Sequence, residues 1–460
     1  MVAATKTVTE IEVPGETLKS PLQYRPENLI GEVLTKRPVT ETERDRGGSK
    51  LTRAAAAAMH YAPANPPKAA TCHPDDEAGL LSFKAGITED PLGILSSWKK
   101  GSDCCSWFGV ICITSDRVTE LRILGSSVLG VGFLSVTISP SLAKLEHLET
   151  LSFTHLLNIT GPFPEFLFRL PKLSSISNLT RLTWLNLGGN GLSGTIPDAF
   201  KSMKELRLID LSRNGLYGKL PPSMESLAQT LTSLYLSQNN LSGTIPDYFL
   251  EFKALSSFDL SRNRFTGVVP MSFAKLKSLF HLKLSHNLLT GPLPDLNPLN
   301  GIASLDLSYN KFHLKTIPQW VTSSLSMYDL KLVKCGIKMN IEEWEPVRTR
   351  LFYIVDLSKN DISGSPARFL NHADVLQEFQ ASGNKLRFDL GKLNFTKSLR
   401  ILDLSRNLVY GKVPASVAGL RKLSLSQNNL CGKLPVTQFP ASVFAGNDCL
   451  CGSPLPPCKT

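Results

Sequence analysis

The chain has 460 residues, nine cysteines and a formal net charge of +11 at pH 7. Its length allows several domains, and its charge favours anionic partners through long-range steering, whether nucleic acid, acidic polysaccharide or acidic protein. No run of about 18 apolar residues occurs, so no membrane-spanning helix is expected.

Residues 1–71 mix charges such as Glu41, Glu43, Arg44, Asp45 and Arg46 with prolines and lack the apolar stretch of a secretory signal. Eight acidic residues also argue against a plastid-targeting peptide. The segment reads as a disordered or aberrant extension.

Residues 72–114 read as a small cap. Asp75, Asp76 and Glu77 precede Leu80, Leu81 and Phe83, which predicts a short helix favoured by its dipole. Trp98 and Trp107 are expected to pack it onto the first coil. Two degenerate coils come next, around Leu121-Arg122-Ile123 and Leu151-Ser152-Phe153. The interval after them is irregular, since Pro164 to Asn190 spans 26 residues where Pro197 to Asn214 spans 17. A deletion there would leave a local defect.

From Asn190 a ladder begins: Asn190, Asn214, Asn239, Asn263, Asn287, Asn310, Asn360, Asn384, Asn407 and Asn428, spaced 21 to 25 residues apart where consecutive, with Cys335 filling the one gap. Each step carries leucine-like residues five and three positions earlier, as in Leu305-Asp306-Leu307-Ser308-Tyr309-Asn310, the leucine-rich repeat signature. Such a coil cannot bury its own apolar face, so neighbours must stack. The expected fold over 115–430 is an α/β solenoid, a right-handed superhelix with a concave parallel β-sheet. The ladder amide is expected to bond backbone groups of its own and the adjacent coil, with Cys335 as a buried free thiol. Gly four residues past the Asn and Pro three further, as in Gly194 with Pro197, predict a second short strand or turn in each coil. This pattern breaks at Leu314, Met339 and Phe388, marking 310–395, with Trp320, Tyr328, Trp344 and Tyr353, as the unusual stretch.

The other cysteines sit at the two ends: Cys72, Cys104, Cys105 and Cys112, then Cys431, Cys449, Cys451 and Cys458 in a second cap over 431–460. Solenoid ends expose an apolar cross-section, and disulfides stabilise small caps. Bonding Cys104 to Cys105, or Cys449 to Cys451, would be strained, which leaves two pairings at each end. The spacings are not those of paired Cys-x-x-Cys zinc knuckles. Disulfides imply an oxidising compartment, and the sequons at Asn158, Asn178, Asn240 and Asn394 agree with secretion and glycosylation.

The Gly-x-Ile-Pro-like coil, the segment Cys104-Cys105-Ser106-Trp107-Phe108-Gly109-Val110-Ile111-Cys112 and the segment Cys449-Leu450-Cys451-Gly452-Ser453-Pro454-Leu455-Pro456-Pro457-Cys458 resemble plant extracellular leucine-rich repeat proteins over residues 72–460. Within that family the chain resembles the polygalacturonase-inhibiting proteins of the cell wall and kinase-less receptor-like members. The resemblance implies the pairs Cys72–Cys104, Cys105–Cys112, Cys431–Cys449 and Cys451–Cys458. It implies an extracellular or cell-wall location and a protein partner, either a secreted pectin-degrading enzyme or a receptor ectodomain. Acidic polysaccharide is a further candidate partner. No nucleic acid, cofactor or metal is expected, and the chain reads as a monomer.

On each strand, the residue between the two leucines and the two before the Asn are expected to face outward. The central column runs Asn186, Asp210, Tyr235, Asp259, Lys283, Asp306, Lys331, Asp356, Gln380, Asp403 and Ser424; the column before the ladder contains Arg213, Arg262, His286, Tyr309, Lys334, Lys359 and Arg406. The aspartates are expected to serve neighbouring turns. The candidate contact residues are Arg213, Tyr235, Arg262, Lys283, His286, Tyr309, Lys331, Lys334, Lys359 and Arg406. Asp210 and Asp259, two strands apart at about 9 to 10 Å, match the carboxylate separation of inverting glycosidases, but an open sheet offers no pocket to raise one carboxyl pKa. Binding rather than catalysis is expected.

Overall fold

The computed structural model describes residues 72–113, 116–125, 134–156, 158–168, 181–296, 301–393 and 395–458. The segment 1–71, the interval 169–180, and the sequon residues Asn178 and Asn394 lie outside the described residues.

Fourteen strands form one sheet in sequence order. Val110–Ile111 pairs antiparallel with Glu120–Leu124, and every later pairing is parallel. The strands shorten to three residues within the repeats, as in Leu208–Asp210, Ser257–Asp259 and Ile354–Asp356. Across the irregular interval, Thr150–Thr154 pairs directly with Trp184–Asn186, Leu151 opposite Leu185. The sheet is therefore unbroken there.

Leucines set the register. Leu185, Ile209, Leu234, Phe258, Leu282, Leu305, Leu330, Val355, Phe379 and Leu402 are all buried, each opposite the next. Behind them tilted rings pack along the axis, Phe249 to Phe258 at 4.8 Å and Phe258 to Phe273 at 5.7 Å. Burying one such side chain is worth about 1.5–3 kcal/mol.

The ladder amides bond as the repeat requires. Asn263 donates to the carbonyls of Leu236 (2.9 Å) and Leu260 (3.1 Å), and its Oδ1 accepts the Leu241 N–H at 3.0 Å. Cys335 is a buried free thiol that keeps only sulfur donations, to Leu307 and Val333 carbonyls at 3.6 and 3.7 Å. One step goes beyond the expected ladder. Asn447 accepts from Leu430 N–H and donates to Leu425 and Phe444 carbonyls, carrying the ladder into the second cap.

A second sheet flanks the first. It has six strands, from Thr160–Pro162 to Leu288–Thr290, and then lapses. Cys335 supplies the reason. At each normal step the Asn Oδ1 accepts an N–H two residues past the preceding ladder position, as Asn310 does from Leu289. A thiol has no oxygen for Phe312. After the single bridge Thr290–Lys311 the chain departs, and Leu314 N–H instead meets the Cys335 carbonyl at 2.8 Å. A hollow of about 420 Å³ opens beside Pro292, His313, Lys315 and Trp320.

Both ends carry disulfides: Cys72–Cys104, Cys105–Cys112, Cys431–Cys449 and Cys451–Cys458. The helix Pro74–Ala85 forms as expected, but Asp76 does more than favour its dipole. It is fully buried, held by Arg117 through two hydrogen bonds (2.9 and 3.1 Å) and by the Val118 N–H at 2.7 Å, tying helix to first coil. Trp98 and Trp107 stack at 5.6 Å beneath it.

Candidate functional site

The first sheet presents two columns to solvent, and the backbone treats them differently. In the central column, Asp210, Asp259, Asp306, Asp356 and Asp403 each accept the N–H of the serine two residues on, at 2.9–3.0 Å. These carboxylates close the turn at the strand end, as expected. Burial pushes the Asp210 and Asp356 carboxyls up, partly offset by their serine bonds. The raised Asp210 departs from the expectation for an open sheet, but Asp210 and Asp259 are each tied to the serine N–H of their turn.

Those serines correct the sequence expectation. The residue two before the ladder was expected to face outward, yet Ser285 and Ser308 are each 4 % exposed. The reason lies one residue later. Arg213, Arg262, His286, Tyr309, Lys334, Lys359 and Arg406 all have left-handed backbone, φ 53–57°. That single inversion turns the chain sharply, tucks the serine inward and swings the next side chain out. The Arg213 N–H then donates to the Ser237 carbonyl, and Arg262 to Ser285, both at 2.8 Å.

Left-handed geometry costs a non-glycine residue about 1–2 kcal/mol, and the same column holds Gly189 and Gly383 where no side chain is needed. Arg213, Arg262, Lys334, Lys359 and Arg406 are nonetheless exposed cations, and among the described residues none has a carboxylate within ion-pair distance. Tyr235, Lys283 and Lys331 are half-buried in the central column, Lys331 paired with Asp329 at 3.5 Å.

Mid-sheet the columns become aromatic. His286 stacks on Tyr309 at 4.4 Å, and Lys359 reaches back past Lys334 to donate to the Tyr309 hydroxyl at 2.8 Å. At the opposite edge Phe280, His281 and Tyr328 cluster, with Phe280 to Tyr328 at 6.2 Å and His281 to Tyr328 at 6.5 Å. Burial, helped by Lys283, pulls His281 down to about 4; burial and Arg262 lower His286.

Sequence reasoning missed Phe280, His281 and the 40 % exposed Trp184 as surface residues. They stand six or seven positions before the ladder, outside the columns considered. Of the aromatics in the unusual stretch 310–395, Trp320 is 8 % exposed, and Trp344 is 4 % exposed and stacked on Phe369 at 4.8 Å, so both belong to the core. Tyr328 and Tyr353 are half-exposed beside the first sheet. The sequons Asn158 and Asn240 are both exposed, Asn240 opening the lateral strand Asn240–Thr244. No helix among the described residues is long and apolar enough to cross a membrane.

Residues 73–113 match the leucine rich repeat N-terminal domain family; residues 181–203, 205–227 and 229–289 match leucine rich repeats. A polygalacturonase inhibitor of Pyrus communis is 36% identical over 121 residues, 26% of this chain and 33% of that protein. Polygalacturonase inhibitor 2 of Phaseolus vulgaris is 44% identical over 111 residues, 23% of this chain and 32% of that protein. Each alignment thus spans about a third of the relative's length. The crystal structure of PEPR1 with AtPEP1 superposes with a TM-score of 0.58 at 29% identity, covering 78% of this chain and 52% of that one.

Proposed function

We propose that this leucine-rich repeat protein, of the plant extracellular type, is a secreted recognition solenoid whose concave sheet captures a protein partner in the cell wall. Its sharpest form is inhibition of a pectin-degrading polygalacturonase, in line with the names of the Pyrus and Phaseolus relatives. One observation carries the reading: five exposed cations, none with a carboxylate within ion-pair distance among the described residues, occupy left-handed positions that the fold would fill more cheaply with glycine. Exposed charges held in one column steer and orient an acidic partner. The likeness to the PEPR1 complex favours a second reading, a ligand-binding partner of a membrane receptor.

The test is the rate at which purified polygalacturonase releases reducing ends from polygalacturonate in the presence of the full chain. The chain should slow release, and Arg213→Glu with Arg262→Glu should restore it. Release unaffected by a large molar excess of parent would rule out inhibition and favour the second reading.

A further inference from the structure

The central coils hold an aromatic arrangement that the repeat does not require. Seven positions before the ladder, other coils carry Thr183, Arg207, Thr232, Ser256, Gln377 and Arg400. Here the same column reads Phe280, Ala303, Tyr328 and Tyr353. Ala303 is buried between its larger neighbours, and its small side chain lets Phe280 and Tyr328, two coils apart, close to 6.2 Å. His281 meets Phe280 edge-on at 4.7 Å and 85°. Phe280 remains 42 % exposed, so this cluster is not core.

Across the sheet, at the turn end of the same strands, lies the His286–Tyr309–Lys359 group. Its Lys359 ammonium sits 5.2 Å from the Tyr309 ring centroid. The enclosed Nδ1 of His286 has no hydrogen-bond partner, although such an atom normally finds one. Between the two groups, Asp306 is tied to its turn and Asp329 to Lys331, while Lys283, Lys334 and Arg262 carry no ion pair among the described residues. The cradle is apolar at one edge and cationic at the other, with Asp259, Asp306 and Asp356 between them each held by a turn N–H.

We infer that Phe280, His281 and Tyr328, facing His286, Tyr309 and Lys359, form the anchor site for an extended protein segment that presents an apolar side chain and, several residues along, a carboxylate. The apolar group covers the exposed Phe280–Tyr328 pair. The carboxylate meets Lys359 and its neighbours. Aromatic residues ringed by cations supply the centre of protein interfaces, whereas scattered rim charges act mainly on encounter. The inference rests on the concave protein-binding reading and assigns its energetic centre.

The experiment measures the affinity of immobilised full chain for purified polygalacturonase. Phe280→Ser with Tyr328→Ser, and separately Lys359→Ala, should each weaken binding at least about tenfold. Tyr328→Phe should hold affinity near that of the parent, and Thr232→Ala with Gln377→Ala, in the same column of other coils, should change nothing. Lys359→Ala keeps the test decisive if the ring variant folds poorly. Parent-like affinity in Lys359→Ala and in a folded ring variant, together with lost binding in Arg213→Glu/Arg262→Glu, would overturn the anchor and leave the charge-column reading standing. No binding by the parent would overturn both.

Discussion

Replacing Asn287 by alanine removes the hydrogen bonds from its amide to the carbonyls of Leu260 (3.0 Å), Leu284 (3.1 Å) and Ser285 (3.3 Å), and the bond from Phe265 N–H to its Oδ1 (3.0 Å). Asn287 is 6 % exposed and Phe265 fully buried, so water cannot readily replace these partners. An unsatisfied buried group costs about 1–3 kcal/mol, and at least two are orphaned here, which sums to about 2–6 kcal/mol. Asn287→Cys should cost less, because Cys335 shows that sulfur can serve the carbonyls in this geometry. Only the Phe265 N–H then lacks its acceptor, a loss of about 1–3 kcal/mol. The assay is urea unfolding followed by far-ultraviolet circular dichroism, comparing midpoints of parent, cysteine and alanine variants. Alanine and cysteine variants with equal midpoints, or an alanine variant within about 1 kcal/mol of the parent, would refute the ladder energetics.

Further outcomes rest on single groups. Burial pushes the Cys335 thiol up to about 12, so native protein should resist thiol reagents, and denaturation without reductant should expose one labelled cysteine per chain; three or more would contradict the disulfide caps. His281 titrates near 4 in the folded chain but near 6.5 when unfolded, so the unfolded state binds the proton first as pH falls. Stability from this group should be full above the unfolded value and decline between 6.5 and about 4, and His281→Gln should flatten that segment of a melting-temperature–pH profile. Asp76→Asn leaves Arg117 facing a neutral amide within the first cap, and a loss of about 3–5 kcal/mol is expected in thermal unfolding.

The sequence made the solenoid legible because the fold repeats its own evidence: a ladder residue and two apolar positions recur too often to arise otherwise. Asn447 escaped because it sits 19 residues after Asn428, with Ser442 where an apolar residue was required. The lapse of the lateral sheet was visible as missing glycines at Leu314 and Met339. Its cause was not, because the loss of an acceptor at Cys335 acts on Phe312, a coil away. For the candidate site, the cation column was readable from spacing, while its left-handed backbone was hinted at only by Gly189 and Gly383. Phe280 and Tyr328 lie 48 positions apart in sequence and meet only because Ala303 between them is small.

The central claim is that the partner sits on the concave sheet. Hydrogen–deuterium exchange of the full chain, with and without saturating polygalacturonase, tests it directly. The account predicts new protection at the left-handed turns after Leu208–Asp210, Ser257–Asp259, His281–Lys283 and Asp329–Lys331, with the lateral strands Asn240–Thr244 and Arg264–Val268 unchanged. Protection confined to the lateral strands, or none anywhere at saturating partner, would contradict it.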